Sequence, residues 1–267
     1  MQSPYRRLAS LLARRAGLYT PLRNLYNLLF LSRAARRVSV GDVHATFFTP
    51  THTIIEHVES LGGERAIIEE FLLDIREGDL FWDVGADFGL YTVLAAGKIS
   101  SRGAVVAFEP EPRMRALCEK NLHVNRVSTV TVLAIALGDR DGLTELFRAA
   151  NPNSGTSSLA RRKDYRLKEK GIEVEMHRGD TIIGGRGLMP PTCMKIDVEG
   201  AEGRVVAGMG ERLRDGGLRS LYCEVHPQLL PSFGDTASSL EQGLLASGFR
   251  IAKRIPRGRE YHLVCRR

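Results

Sequence analysis

The side chains best placed to do chemistry in this sequence stand at the ends of short apolar runs: Asp83, Glu109, Asp197, Glu224 and His226. In an open α/β sheet, strand ends of this kind face the ligand crevice. Glu109 suits a pair of ribose hydroxyls, because a carboxylate accepts two hydrogen bonds side by side. Asp83 can meet a ligand's amine or hydroxyls. Asp197, Glu224 and His226 end neighbouring strands, so they are expected to share one cleft. Two mechanisms fit them. His226 can act as general base on an attacking hydroxyl, with Glu224 or Asp197 orienting the imidazole. Alternatively, Asp197, Glu224 and His226 hold a divalent cation such as Mg2+ that acidifies the hydroxyl.

These residues need a frame, and residues 80–89 supply its entry. They read Leu-Phe-Trp-Asp-Val-Gly-Ala-Asp-Phe-Gly, and residues 90–99 follow with apolar side chains at helical spacing. That pattern is strand, tight turn, helix. Gly85 and Gly89 suit a turn whose backbone lies close to a ligand. A dinucleotide fingerprint would place a second glycine where Asp87 stands, and a carboxylate there repels a pyrophosphate. The turn therefore favours a nucleoside without phosphates and with positive charge. S-adenosylmethionine has that make-up. A nicotinamide-dependent oxidoreductase is the competing enzyme reading, since Glu109 would serve either cofactor. A non-catalytic nucleoside-binding module, held to a membrane by its N-terminal arm, is the reading without chemistry.

Beyond residue 80, strands and helices alternate. Strands are predicted at 104–108, 130–136, 143–147, 172–176, 193–197 and 218–225, with a closing antiparallel pair at 249–255 and 261–265. Helices are predicted at 64–75, 111–124, from about 200 to 213, and at 238–246. Parallel strands joined by helical crossovers make a doubly wound sheet. Residues 43–48 and 53–58 alternate around Thr49-Pro50-Thr51-His52 and predict a small hairpin. The stretch 148–171 is long, polar and basic, which suits a functional flap or a disordered stretch, its basic residues either meeting an acidic substrate or simply solvated. The division is an extension at 1–60 and one catalytic domain at 61–267.

The net charge of +7 is unevenly placed. Residues 1–40 hold eight Arg and no acidic residue, so the rest of the chain sums to −1. A near-neutral body argues against a nucleic-acid partner. The arm reads as two basic amphipathic helices, too short and too broken by Arg to span a bilayer. It can lie on an anionic membrane, act as an organelle presequence, or cover the body or a neighbouring subunit. The cysteines at 118, 193, 223 and 265 are scattered, with no C-x-x-C. A zinc site and a disulfide framework are both unsupported, and a reducing cytoplasm is expected.

The sequence resembles the FkbM-type family of S-adenosylmethionine-dependent methyltransferases from about residue 64 onward. The matching segments are 82–92, 107–112, 121–125, 136–139, 195–202 and 224–226, of which 195–202 (Lys-Ile-Asp-Val-Glu-Gly-Ala-Glu) is the most specific. The resemblance implies a seven-stranded, mostly parallel, doubly wound Rossmann-like sheet of the class I methyltransferase type. It implies S-adenosylmethionine held by Asp83, Gly85, Ala86, Asp87, Gly89, Tyr91, Thr92, Glu109 and Pro110, with Asp197 nearby. The adenine would lie near Ala136 and Asp139. It implies O-methylation of a small-molecule, sugar or glycolipid-like hydroxyl, with Lys195, Asp197, Glu224 and His226 as the catalytic candidates. Where the family commonly has Asn, this chain has Asp87, which keeps an acceptor, loses an amide donor and adds a charge that favours the ammonium.

Overall fold

The computed structural model describes residues 22, 25, 31, 34–148, 157–159, 171–185 and 187–267. The predicted arm helices, and most of the 148–171 flap, lie outside these residues. Among the described residues, no helix is long and apolar enough to cross a membrane.

The N-terminal hairpin is present but displaced from its expected place. Its strands are β1 (Ala35–Val40) and β2 (Val43–Phe48), paired antiparallel. The stretch expected as the second strand is instead helix α1 (His52–Ser60). Thr51 caps it, its side chain accepting from the Ile54 N–H. Ile54 and Val58 are the buried pair, four apart, as a helix face demands. Helix α2 (Arg65–Asp74) follows a short 3-10 turn and buries Ile67, Ile68, Phe71 and Leu72.

The core sheet begins with β3 (Leu80–Val84). It continues through α3 (Leu90–Ile99), β4 (Ala104–Phe108), α4 (Pro112–Val124) and β5 (Val130–Leu133). After a second small sheet come β10 (Cys193–Ile196), α6 (Glu202–Met209), β11 (Ser220–Val225) and α7 (Ala237–Ala246). The chain closes with β12 (Arg250–Arg257) and β13 (Glu260–Arg266). Strand order is β12-β13-β11-β10-β3-β4-β5. The expected seven-stranded doubly wound sheet is therefore present, and it is mixed: β13 runs antiparallel to both β11 and β12, while the remaining pairs are parallel. The order turns back between β3 and β10, and it is there that a crevice opens at the strand ends.

The strands alternate sides. Phe81, Cys193, Tyr222 and Val264 join the core packed against the hairpin, α1, α2 and α3. Trp82, Met194, Leu221 and Cys265 join the opposite core with α6 and α7. Burial on both faces is why these strands read as unbroken apolar runs. All four cysteines are buried free thiols.

The strand expected at 130–136 is split. Only β5 joins the core sheet. β6 (Ile135–Leu137) leaves it to pair with β9 (Ile172–His177), which also holds β7 (Gly142–Arg148), and β7 in turn holds β8 (Ser157–Ser158). Helix α5 (Gly179–Gly185) leads back to β10. This four-stranded sheet was not anticipated. It brings Ser157 and Leu159 to the wall of the crevice.

Candidate active site

A cavity sits at the carboxyl ends of β3, β4, β10 and β11. On one side the walls are Gly85, Ala86, Asp87, Glu109 and Pro110, with Phe108, Ile135 and Leu137 as apolar surface. On the other side are His57, Glu64, Tyr91, Lys195, Asp197 and Glu224, closed over by Arg257.

The first wall is a cradle. Gly85 has φ +78, Asp87 φ +50 and Gly89 φ +87, so the chain folds back on itself just after β3. Aspartate tolerates the left-handed region better than most residues. A Cβ on Gly85 would lie 1.8 Å from the Asp197 carbonyl oxygen, so the two loops leaving β3 and β10 touch through backbone alone. Glu109 is held rigidly: one carboxylate oxygen accepts the Asp87 N–H at 2.7 Å and the other the Glu111 N–H at 2.8 Å. Burial pushes its carboxyl up to about 7, against those two hydrogen bonds. Each oxygen keeps a lone pair for a further donor.

Burial, and then the charge of Glu109, push the Asp87 carboxyl well above the ordinary range. Its Oδ1 is buried without a hydrogen-bond partner. An unpartnered buried polar atom in a cavity wall is what a ligand donor would satisfy. The cradle therefore fits a nucleoside cofactor of the S-adenosylmethionine type: Glu109 for two hydroxyls, Asp87 for a polar tail, and Phe108, Ile135 and Leu137 for a flat base.

Some expected cofactor contacts stand elsewhere. Asp83 is fully buried behind the cradle, where it accepts the Thr92 hydroxyl at 2.5 Å and faces the Lys195 ammonium at 3.6 Å. Neither Asp83 nor Thr92 is among the residues lining the cavity. Gly89 begins α3 and packs on Cys118. Asp139 lies beyond the cavity wall, 3.9 Å from Arg204, whereas its neighbour Ala136 does line it.

The second wall is a charge network. Lys195 is buried at the end of β10. Its ammonium donates to the Gly85 carbonyl at 3.0 Å and meets Asp197 at 3.2 Å. Burial opposes its charge, but Asp197, Asp83 and Glu64 outweigh burial and hold the ammonium protonated. Burial likewise opposes the charge of Asp197, and Lys195 with His226 overrides it, bringing the carboxyl down to about 2. Glu224 ends β11, with Arg257 donating to its Oε1. Burial, with Asp197 and Glu64, pushes Glu224 up to about 8 despite that arginine.

His226 does not fit the role of general base. Its Nδ1–H donates to the fully buried Glu202 at 2.9 Å, and its Nε2 faces Glu199 and Asp197 at 3.8 and 3.9 Å. Burial favours the neutral ring, but these carboxylates, Glu202 first, bring its pKa to about 10. So high a pKa makes the ring a poor acceptor for the hydroxyl proton, and His226 is not among the residues that line the cavity, whereas Glu224 is. The linkage gives a pH signature. A histidine raised from 6.5 to about 10 contributes stability that is fully present below 6.5 and is lost as pH climbs through 10. Urea unfolding should therefore show a loss of a few kcal/mol between about pH 6.5 and 10, and His226→Gln should remove most of that slope. An unchanged slope in the variant would assign the alkaline loss to other groups.

Three residues of this wall were not found from sequence. Arg257, on the closing strand, donates through Nε and Nη2 to the Gly62 carbonyl and pairs with Glu64 at 3.2 Å. Glu64 also accepts the Tyr91 hydroxyl at 2.8 Å. His57 stacks edge-on against Phe88, and burial and then Arg257 bring its pKa down to about 4, so it faces the cavity neutral. The Thr51 cap was the available sign that residue 57 belonged to a helix.

Asp197, Glu224 and His226 could reach a common cation, since one ligand atom from each lies within 4.8 Å of the others. Lys195 pairs with Asp197 and Arg257 with Glu224, so an ion there would compete with two cations of the protein itself for these carboxylates.

A model of the methyltransferase FkbM domain matches residues 83–251, which covers the cradle, Lys195, Asp197, Glu224 and His226. Hexuronic acid methyltransferase AglP of Haloferax volcanii is 24% identical over 215 residues, 80% of this chain and 83% of that protein. The 31-O-demethyl-FK506 methyltransferase FkbM of Streptomyces tacrolimicus is 28% identical over 222 residues, 70% of this chain and 84% of that one. The 2-O-methyltransferase NoeI of Sinorhizobium fredii is 28% identical over 181 residues, 63% and 72% of the two chains. With the family model spanning well over half of its residues, this chain belongs to the FkbM methyltransferase family.

Proposed function

We propose that the protein transfers a methyl group from S-adenosylmethionine to a hydroxyl of a small-molecule or sugar acceptor. The observation that carries this reading is the juxtaposition in one cavity of a nucleoside cradle and, opposite it, a buried carboxylate with an open oxygen and a raised pKa, Glu224. The names of the relatives, for hexuronic acid, an FK506 precursor and 2-O-methylation, support a hydroxyl as acceptor.

When bound, the cofactor supplies an electrophilic methyl on a sulfonium. The chain's own residues do the rest. Glu109 and the backbone at 85–87 would fix the nucleoside, and Asp87 would meet the polar tail. Glu224 would take the proton from the acceptor hydroxyl, since a base works best with its pKa near the working pH. Asp197, held ionised by Lys195, would accept a second hydrogen bond and orient the acceptor. Lys195 stays protonated and anchors two strand ends. Confining both partners between these walls supplies positioning, which is a large part of the barrier reduction in methyl transfer.

Titration calorimetry with S-adenosylhomocysteine tests the donor half. Binding should strengthen as pH rises through about 7, because only the ionised Glu109 offers both oxygens as pure acceptors. Glu109→Gln should weaken binding by roughly 10- to 100-fold, the size of a charged hydrogen bond. Tight binding of a nicotinamide dinucleotide, with no heat from S-adenosylhomocysteine, would overturn the reading.

A further inference from the structure

In the acceptor wall, opposite the cradle, a second buried group stands beside Glu224. We propose that His262 is a positioning residue for Glu224: its Nε2 accepts a hydrogen bond from the Glu224 carboxyl once that carboxyl has taken the proton of the acceptor hydroxyl. This rests on the reading of Glu224 as base and adds to it the group that receives Glu224 in its protonated form.

The sheet sets the pair up. Glu224 on β11 and His262 on β13 are direct partners in the antiparallel register, so their side chains leave the same face of the sheet. Both are enclosed, at 2% and 4% exposure. His262 Nε2 is buried without a hydrogen-bond partner and stands 4.0 Å from Glu224 Oε1. An Nε2–H would be drawn to an ionised carboxylate and would close that gap. At 4.0 Å the two atoms face each other as acceptors, which puts the ring hydrogen on Nδ1. Burial brings the His262 pKa down to about 4, with Asp197 opposing and Arg257 and Lys195 helping, so the ring is neutral near pH 7. A buried lone pair without a donor costs stability until a donor arrives.

One proton supplies that donor. The acceptor's O–H bond breaks, its electron pair stays on the acceptor oxygen, and the proton joins the Glu224 carboxylate. The proton goes no further: His262 accepts a hydrogen bond from it and is not itself protonated. The terminal torsion of a glutamate is broad and two-fold, so a half-turn and a shift of about 1 Å bring the new O–H to Nε2. Arg257 donates to Oε1 of the ionised form, and it keeps its place without that contact through the Gly62 carbonyl and Glu64. The hydrogen bond to His262 is absent before the proton moves and present afterwards. An interaction of that kind favours the reaction over the starting complex.

The test follows the imidazole nitrogens of the full chain, labelled with 15N-histidine, saturated with S-adenosylhomocysteine and kept in EDTA. Nitrogen NMR spectra are taken between about pH 6 and 9, and His262→Phe identifies the His262 signal. The ring should stay neutral throughout, while Nε2 moves upfield as Glu224 gains its proton, with a midpoint near 8. The groups facing the pair are His57 of α1, Glu64 at the start of α2, Tyr91 of α3, Lys195 and Asp197 at the end of β10, His226 after β11 and Arg257 of β12. Glu64 is the rival donor, since burial raises its carboxyl too and one oxygen of it lies within 4.8 Å of the other two groups. Glu224→Gln should therefore abolish the step, and Glu64→Gln should keep it with a lower midpoint, because one repelling charge is gone. His262→Phe should lower the Glu224 midpoint, read from its carboxyl 13C signal, by roughly one pH unit, the worth of one hydrogen bond to the protonated form. A stationary Nε2 signal would overturn the proposal, as would a ring that becomes charged in this range or a step that survives Glu224→Gln. The titration of the unaltered chain decides this even where a variant fails to fold. Calorimetry with S-adenosylhomocysteine on the same preparation keeps the two levels apart. Heat without a step at His262 refutes the positioning role alone. Absence of that heat refutes the methyltransferase reading itself.

Discussion

Lys195→Met is expected to destabilise the protein by about 3–5 kcal/mol, the usual cost of stripping one partner from a buried charge pair. Methionine keeps an unbranched apolar stem of similar length, while the ammonium's place over the Tyr91 ring, 5.0 Å from its centroid, is lost with the charge. What is lost is charge. Asp83 is wholly enclosed, and without the ammonium it retains only the Thr92 hydroxyl. Asp197 loses the partner that holds its carboxyl near 2. The Gly85 carbonyl loses its donor. The prediction has an internal control. Replacing the pair together, Lys195→Met with Asp83→Asn, removes the stranded anion and should recover more than half of the loss, because neutral replacements of buried ion pairs are often tolerated. Urea unfolding of the two variants decides it. A single variant within about 1 kcal/mol of the parent would mean that water reaches Asp83 and that Lys195 is not its counter-ion.

Much of this site could be read from the chain because its parts are local. The turn at 85–89 and Glu109 follow directly on short, largely apolar strands, and the Lys195–Asp197 exit repeats the pattern. One βα unit carries enough information to place its own strand-end residue. The misses share a different cause. Arg257 meets the Gly62 carbonyl across 195 residues of chain, and nothing near either residue announces the other. His57 comes from a helix where a run of Thr, Ile and Val between 53 and 58 has the look of a strand, and Glu64 opens a predicted helix that precedes the βα repeat, where no strand end points to a site. Packing decided against the strand at 53–58: a strand would put Glu56 on the same face as Ile54 and Val58, whereas the helix buries those two and leaves Glu56 exposed. Residue type could be read, but ionisation state could not. His226 looks like a base until Glu202, twenty-four residues earlier, is found 2.9 Å from its ring. Asp83 looks like a ligand contact until the fold closes over it.

Gly85→Ala is expected to be more damaging than any loss of a single hydrogen bond. Two costs combine. At φ +78 an alanine carries a left-handed penalty of about 1–2 kcal/mol. Its Cβ would also stand 1.8 Å from the Asp197 carbonyl oxygen, a backbone atom on the adjoining strand exit. A flexible side chain could swing aside; this oxygen cannot. The Asp197 N–H is bonded to the Val84 carbonyl at 3.0 Å, and Ile196 pairs with Val84 in the sheet. Relief would require β3 and β10 to part where the cofactor cradle and the acceptor wall meet. The expected loss is about 4 kcal/mol or more, at the large end for a point substitution, with S-adenosylhomocysteine binding abolished in whatever folds. Gly78→Ala isolates the first cost. Gly78 has φ +86, but a Cβ there meets nothing within 4 Å, so only the conformational penalty of about 1–2 kcal/mol should appear. Similar melting temperatures for the two variants would show that the loops at 85 and 197 are free to separate, and that the cradle is assembled by its ligand rather than by the sheet.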